Sequence, residues 1–296
     1  MSFGSSLGNV MPIKYPEIMS LTRVGERYAW TDRDVMLYAV GIGMGADPMD
    51  ERELLFVNEA SFHARALKVV PTFVSVAAWG ASPGDLGINR LLVVDGERDI
   101  TFHKPLPASA KITANSRVLA VYDKGKDKGA VVVRETVLRD EEGDPIATLV
   151  ISSFARGDGG FGGPNEGQPA PHAVPARAPD RSVDLTTRPD QALIYRLCGD
   201  RNPLHSDPAF AKQAGFPRPI LHGMCTYGLT CRAVLQTYAD YDATAFRQHV
   251  ARFSAPVFPG ETVTVDLWKD NDIISFEARV NARNVTVIKN GKTVLG

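Results

Sequence analysis

The chain carries one pattern twice. Thr31-Asp32-Arg33-Asp34 precedes the apolar run VMLYAVGIG, and Thr187-Arg188-Pro189-Asp190 precedes QALIYRLCG. In each, the threonine can accept bonds from first-turn amides, and the acid three residues on complements the positive end of a helix. Both runs stop in Gly- and Asp-rich sequence. A second apolar segment follows, LKVVPTFVSVAAWG in the first half and PILHGMCTYGLTCRAVLQTYA in the second. The length and small-residue content of the latter predict a buried helix. Strands come next. Phe102-x-x-Pro105-Leu106-Pro107 matches Phe253-x-x-Pro256-Val257-Phe258-Pro259. Both lead into alternating segments such as Thr262-Val263-Thr264-Val265-Asp266-Leu267, with one apolar and one polar face. Asn290-Gly291 predicts a hairpin turn in the last pair.

Such a repeat restricts the fold severely. A curved sheet wrapped around one helix leaves an edge and a face bare, and a second copy beside it can cover both. The fold class is therefore α+β: two antiparallel sheets, each around a long central helix. The chain length of 296 residues suits two such units. They are expected over 10–155 and 185–296, joined by a Gly/Pro-rich linker, 156–184, that lacks apolar periodicity.

Lys and Arg total 33 against 34 for Asp and Glu, a formal charge of −1. The only basic run, Lys124-Gly125-Lys126-Asp127-Lys128, is interrupted by an acid, so nucleic acid is not expected as a partner. Cys198, Cys225 and Cys231 are too few and too irregular for a disulfide framework or thiolate metal site, and fit a reducing compartment. The opening MSFGSSLGNVMPIKYPEIM lacks the basic and apolar regions of a signal peptide. No stretch approaches the ~18–20 apolar residues of a membrane span. A soluble, cytoplasmic protein with no membrane partner is expected.

The densest polar cluster is Tyr195-Arg196-Leu197-Cys198-Gly199-Asp200-Arg201-Asn202-Pro203-Leu204-His205-Ser206-Asp207-Pro208. Gly199 and Pro203 should end the preceding helix and keep the segment a loop. Asp200 and His205, five apart, are badly spaced to meet across a helix but can meet in a turned loop. A carboxylate beside an imidazole gives an acid–base pair for near-neutral pH. Asn202 offers a donor and an acceptor for a water or for the carboxylate. The plain alternative is a solvated turn with Asp200 as a cap. Further on, Pro217-Arg218-Pro219-Ile220-Leu221-His222-Gly223-Met224 leads into the buried helix, where the Gly223 N–H could stabilise negative charge on a carbonyl oxygen. The alternative there is a packing glycine.

YRLCGDRNPLH (195–205), followed by Pro208-Ala209-Phe210-Ala211, Gly215-Phe216 and Pro219 to Met224, resembles the signature of the hydratase 2 family, the (R)-specific 2-enoyl-CoA hydratases of the MaoC-like group. The resemblance spans the whole chain and points to the two-hotdog form in the hydratase part of peroxisomal multifunctional enzyme type 2. It implies a double hotdog fold and reversible syn hydration of trans-2-enoyl-CoA to (R)-3-hydroxyacyl-CoA. It also implies Asp200 and His205 as the acid–base pair, Asn202 as the residue that orients acid and water, and the Gly223 amide as holder of the thioester oxygen. No metal or redox cofactor is implied, and a homodimer is. For the CoA phosphates, Arg201, Arg218, Arg252 and Lys289 are candidates. The first half reads Tyr38 to Asp50 at the equivalent place, with an Asp47-Pro48 but no histidine before His63, so it should lack an acid–base pair. Its expected task is to cover the active half and shape a pocket for medium, long or bulky acyl chains.

Other readings are weaker. Gly41-Ile42-Gly43-Met44-Gly45-Ala46 has the glycines of a dinucleotide loop, but no strand precedes it and Pro48 follows. His205, Asp207 and His222 could be drawn as a metal site, yet match no usual zinc spacing. His63, His103, His172 and His249 are expected on the surface or in packing, and Cys198 in the core. A hotdog thioesterase or a non-catalytic acyl-CoA-binding protein are the functional alternatives.

Overall fold

The computed structural model describes residues 13–60, 66–89 and 92–296. The first half runs β1 (Thr22–Trp30), α1 (Asp32–Gly41), α2 (Glu51–Val57), α3 (Val74–Ala77), β2 (Val93–Phe102), β3 (Ala110–Asp123), β4 (Ala130–Arg139) and β5 (Pro145–Ala155). The second half runs β6 (Arg181–Thr186), α4 (Gln191–Tyr195), α5 (Pro208–Gln213), α6 (Gly223–Tyr238), β7 (Phe246–Phe253), β8 (Thr262–Asp270), β9 (Ile273–Val280) and β10 (Val285–Leu295).

The strand order is β1-β3-β4-β5-β2-β7-β10-β9-β8-β6, with every pairing antiparallel. Each half has the same internal order, read from opposite ends. The halves join where β2 pairs β7, so two separate sheets are replaced by one continuous sheet of ten strands. The motif phenylalanines are 253 − 102 = 151 residues apart, and the pair Asp99↔Val250 is separated by the same 151. A local two-fold therefore passes through that pair, and Arg98↔Ala251 is its own image as Ile100↔His249. Pairing equivalent strands this way removes the inner edge of each copy.

The helices break the symmetry. In the second half, α6 is 16 residues long and almost wholly buried. Its counterpart in the first half is a 3-10 turn at Pro71–Phe73 and the four-residue α3. A long central helix in both halves is thus a wrong expectation for the first. Pro71 starts the turn, and Val70, Thr72, Val74 and Val76 are β-branched, and Gly80 follows with φ +92°; such a segment propagates a helix poorly. α6 instead packs directly on α1. A side chain at Gly228 would meet Ile42 and the Tyr38 hydroxyl within 2.9 Å, so glycine permits the close approach. One apolar core runs through both halves, including Tyr38, Phe73, Tyr195, Leu235 and Phe276.

Local chemistry explains other departures. Thr31 and Asp34 form the expected reciprocal cap on α1, with the Thr31 amide donating to Asp34 Oδ2 at 2.8 Å. Thr187 does not cap α4. Its hydroxyl donates to the Glu261 carbonyl at 2.8 Å, and the Gln191 side chain accepts from the Arg188 amide at 3.0 Å. Asn290-Gly291 makes no hairpin; it lies inside β10 as a bulge, with Asn290 at φ 55° and the register shifting against both β7 and β9. Residues 181–184, expected in the linker, belong to β6, the edge strand beside β8. The rest of that segment is strapped to the sheet: His172 Nε2 lies 2.8 Å from Ser275 Oγ, and Trp268 Nε1 donates to the Arg177 carbonyl at 2.8 Å. β8 has its apolar face on the core, yet its polar face is buried too, because Asp266 pairs with Arg279 at 2.6 Å.

Candidate active site

Gly199 ends the helical turn after α4 at φ +135°, and a side chain there would strike Trp79 of the first half. The chain then turns back. The Asn202 amide donates to Asp200 Oδ1 at 3.1 Å, and Asn202 Oδ1 caps the 3-10 turn Pro203–His205 through the Leu204 amide at 3.0 Å. These two short-range bonds fold the loop so that His205 Nε2 comes to 3.8 Å from Asp200 Oδ2. Asn202 holds the carboxylate through its backbone, while its own side-chain oxygen serves as a cap.

His205 is 8% exposed, and its Nδ1 faces the Ile220 carbonyl at 2.9 Å. A carbonyl only accepts, so Nδ1 carries the proton and Nε2 is left bare. Burial lowers its proton affinity, a shift opposed by the Ile220 carbonyl and then by the carboxylates of Asp200 and Asp95. At neutral pH the pair is thus a bare imidazole nitrogen facing a carboxylate. At 3.8 Å the two do not bond each other, and a water placed beside them can donate one hydrogen to each.

The segment before α6 locks this arrangement. The Ile220 amide donates to the Leu204 carbonyl at 3.3 Å, and the Leu221 amide to that of Val257 at 2.7 Å. His222 stacks on His205 with centroids 3.7 Å apart, and its Nε2 donates to the backbone carbonyl of Asp200 at 3.1 Å. Burial, then the neighbouring His205, push its pKa down to about 3. It is a neutral prop. Gly223 follows as the first residue of α6, where an amide has no intrahelical carbonyl to bond, while the Cys225 and Thr226 amides donate to the His222 carbonyl. Asp95 of β2 and Phe253 of β7 crowd it: a side chain on Gly223 would sit 2.9 Å from Asp95 Oδ2 and 3.3 Å from Phe253.

Asp200, His205 and His222 bring possible ligand atoms within 4.8 Å of one another. Stacked imidazoles aim their lone pairs side by side rather than at one point, so the cluster suits proton transfer better than an ion. Asp207, the acid of the metal set drawn from the sequence, instead caps α5 through the Ala209 amide at 2.8 Å. The basic candidates are scattered. Arg252 and Lys289 are exposed register partners across β7 and β10. Arg201 is exposed beside Asp200, and Arg218 donates to the Pro259 carbonyl at 3.0 Å and lies over the Phe258 ring.

The glycines at 41–45 end and follow α1 and pack against Tyr195, Arg232 and Val57, which removes the dinucleotide reading. His249 is fully buried between Thr230 and Thr293, His103 is exposed, His172 is half-buried, and His63 lies outside the described residues. The Cys198 thiol is pushed up to about 12 by burial, unsuited to nucleophilic attack.

The MaoC like domain family matches residues 171–291, and the MFE-2 hydratase 2 N-terminal domain family matches 28–157. An enoyl-CoA hydratase of Mycobacterium tuberculosis is 41% identical over 95% of this chain and 98% of its own. The chain belongs to the MaoC-like hydratase 2 family. A MaoC-like dehydratase from Phytophthora capsici superposes with a TM-score of 0.83 at 32% identity, covering 94% of this chain and 97% of that one. The full-length peroxisomal multifunctional enzyme type 2 of Drosophila melanogaster gives 0.79 at 34%, over 92% of this chain and 48% of that one. The hotdog assignment follows.

Three residues at this candidate site have no part in the acid–base reading of the sequence: His222, named there only as a possible metal ligand, and Asp95 and Trp79, which arrive from the first half. His222 had a signal, since it directly precedes Gly223. The other two had none, because their approach depends on sheet register and helix length across more than one hundred residues of chain.

Proposed function

We propose that the protein catalyses the reversible syn hydration of trans-2-enoyl-CoA to (R)-3-hydroxyacyl-CoA. The observation that carries this is the 3.8 Å separation of His205 Nε2 and Asp200 Oδ2, with the start of α6 joined to the pair through the His205–His222 stack. Relatives named as enoyl-CoA hydratases support the same reaction.

An enoyl thioester is polarised, so C3 accepts a nucleophile. Water held by the pair gives up one proton to it as the C3–O bond forms, and the alkene electrons move toward the thioester oxygen. The Gly223 N–H faces that oxygen; loss of one such donor typically costs ~3 kcal/mol. The pair then delivers a proton to C2 on the same face, and the enolate electrons collapse into the C2–H bond. One water is consumed, and nothing is oxidised or reduced, so the reaction asks for no nicotinamide, flavin or metal.

The first half supplies the acyl pocket in this reading, and medium or bulkier chains are preferred over C4. The CoA phosphates meet basic side chains, with the exposed Arg252 and Lys289 better placed than Arg218, whose guanidinium is already held by Pro259 and Phe258. Units at 10–155 and 185–296, a homodimer and a cytoplasmic setting complete the proposal. Three free cysteines accord with that setting. No described helix is long and apolar enough to cross a membrane.

The test is incubation with a C4 to C16 panel of trans-2-enoyl-CoAs and resolution of products with (R)- and (S)-specific dehydrogenases. The (R) product should form without added metal or nicotinamide. Predominant (S) product, or free CoA in its place, overturns the assignment.

A further inference from the structure

We propose that Asp95, carried on β2 from the half without an acid–base pair, is a positioning residue of the catalytic site: it lies against Gly223 and stabilises positive charge on His205. The inference rests on the hydratase reading and extends it across the two halves.

Three observations carry it. The register of β2 against β5 slips between Asp95 and Glu97, so a bulge sits at Gly96. A side chain there would come within 3.0 Å of the Ser152 carbonyl, a tight approach that glycine relieves. Bulges re-aim neighbouring side chains, and this one turns Asp95 to Gly223. Second, the Asp95 carboxylate is fixed. Arg98 Nη2 donates to Oδ1 at 2.6 Å, and the arginine side chain is only 12% exposed. This leaves Oδ2 on the site side, 2.9 Å from where a Gly223 side chain would begin. Third, His205 is tied to the same spot, stacked on His222 one residue before Gly223.

The surrounding groups make the charge effective. On β5 the register partner of Asp95 is neutral Ser153. On β7 Arg252 is already paired in register with Glu97, and Arg247, at the far end of the strand, donates to the Thr244 carbonyl. The catalytic loop contributes Asp200 and His205, and the segment before α6 contributes His222, kept neutral by burial. Asp95 is thus the second carboxylate acting on His205. Whenever the proton taken from water rests on the imidazole, that carboxylate favours the cation. Arg98 balances the carboxylate, which limits its repulsion of the developing enolate near Gly223.

The test pairs a titration with kinetics. His205 is followed by NMR in 15N-histidine-labelled wild type, Asp95→Asn and Asp95→Glu, with His205→Gln to assign its resonances. Asp95→Asn should move the His205 titration to lower pH, and Asp95→Glu should restore it in part. On an accepted enoyl-CoA, Asp95→Asn should lower kcat about tenfold with KM within about twofold. A His205 titration unmoved in Asp95→Asn overturns the proposal, as does an unchanged kcat. The titration needs no substrate, so failure of the wild type to hydrate any enoyl-CoA would strike the functional reading through a separate measurement.

Discussion

The two halves share a strand order and a register about a local two-fold, yet among the described residues only the loop of the second half brings a carboxylate and an imidazole together. In the second half, a 16-residue helix begins at Gly223, and its entry segment props His205 against Asp200. In the corresponding loop of the first half, the Asp47 carboxylate accepts from the Met49 amide at 2.8 Å, and the helix is cut to α3. The copy that keeps the helix holds the Asp200–His205 pair, while the shortened copy presents Trp79 and Asp95 to its neighbour. What the comparison teaches is that the sheet can be symmetric while the site is not.

The largest effect should come from exchanging the two loops' acids. Asp200→Asn and His205→Gln should each lower turnover by ~10² or more with the protein still folded by circular dichroism. Asp47→Asn, in the corresponding loop of the first half, should leave turnover within about twofold of wild type. Comparable losses at Asp47 and Asp200 would break the assignment of catalysis to one half.

Acid sensitivity should follow the same division. Among the described residues, the buried histidines are His205, His222 and His249, all in the second half. Burial pushes His222 and His249 down to about 3. Above the unfolded histidine value of about 6.5 neither state is protonated, and the folded protein keeps its full stability. As pH falls toward 3, the unfolded chain takes up protons that the folded chain refuses, and stability drops by about 1.4 kcal/mol per pH unit for each histidine. Urea midpoints should fall between pH 7 and pH 5, and His249→Gln should flatten that slope. A midpoint independent of pH over this range would contradict the buried neutral state.

Trp79 offers a finer test. It is 42% exposed and stands over Gly199, next to Asp200, where the first half borders the site. Trp79→Ala should shift the ratio of kcat/KM for long over short enoyl-CoAs by roughly tenfold, with little change in the rate on C4. An unchanged ratio would remove this side chain from the acyl path.

Much of this was legible in the sequence because it is local. The loop from Gly199 to His205 is set by a glycine, a proline and two cap residues within seven positions, and the repeat shows in its matched Thr-x-x-Asp and Phe-x-x-Pro motifs. The short α3 was also written in Pro71 and its β-branched neighbours, though repetition argued for a long helix. Asn290-Gly291 misled because a left-handed Asn-Gly serves a bulge as well as a hairpin. Asp95 was beyond reach, since its approach to Gly223 depends on a bulge and on pairing between strands about 150 residues apart.

Hydration in D2O, with the configuration at both new centres read by NMR, tests the central claim most directly. Asp200 and His205 lie in one loop and, in the proposed reaction, act on one face of the alkene. The account therefore predicts a single product, with (R) configuration at C3 and deuterium at C2 on the face that receives the hydroxyl. Deuterium on the opposite face, or scrambled between faces, would contradict it, because water and proton would then come from groups on different sides of the substrate.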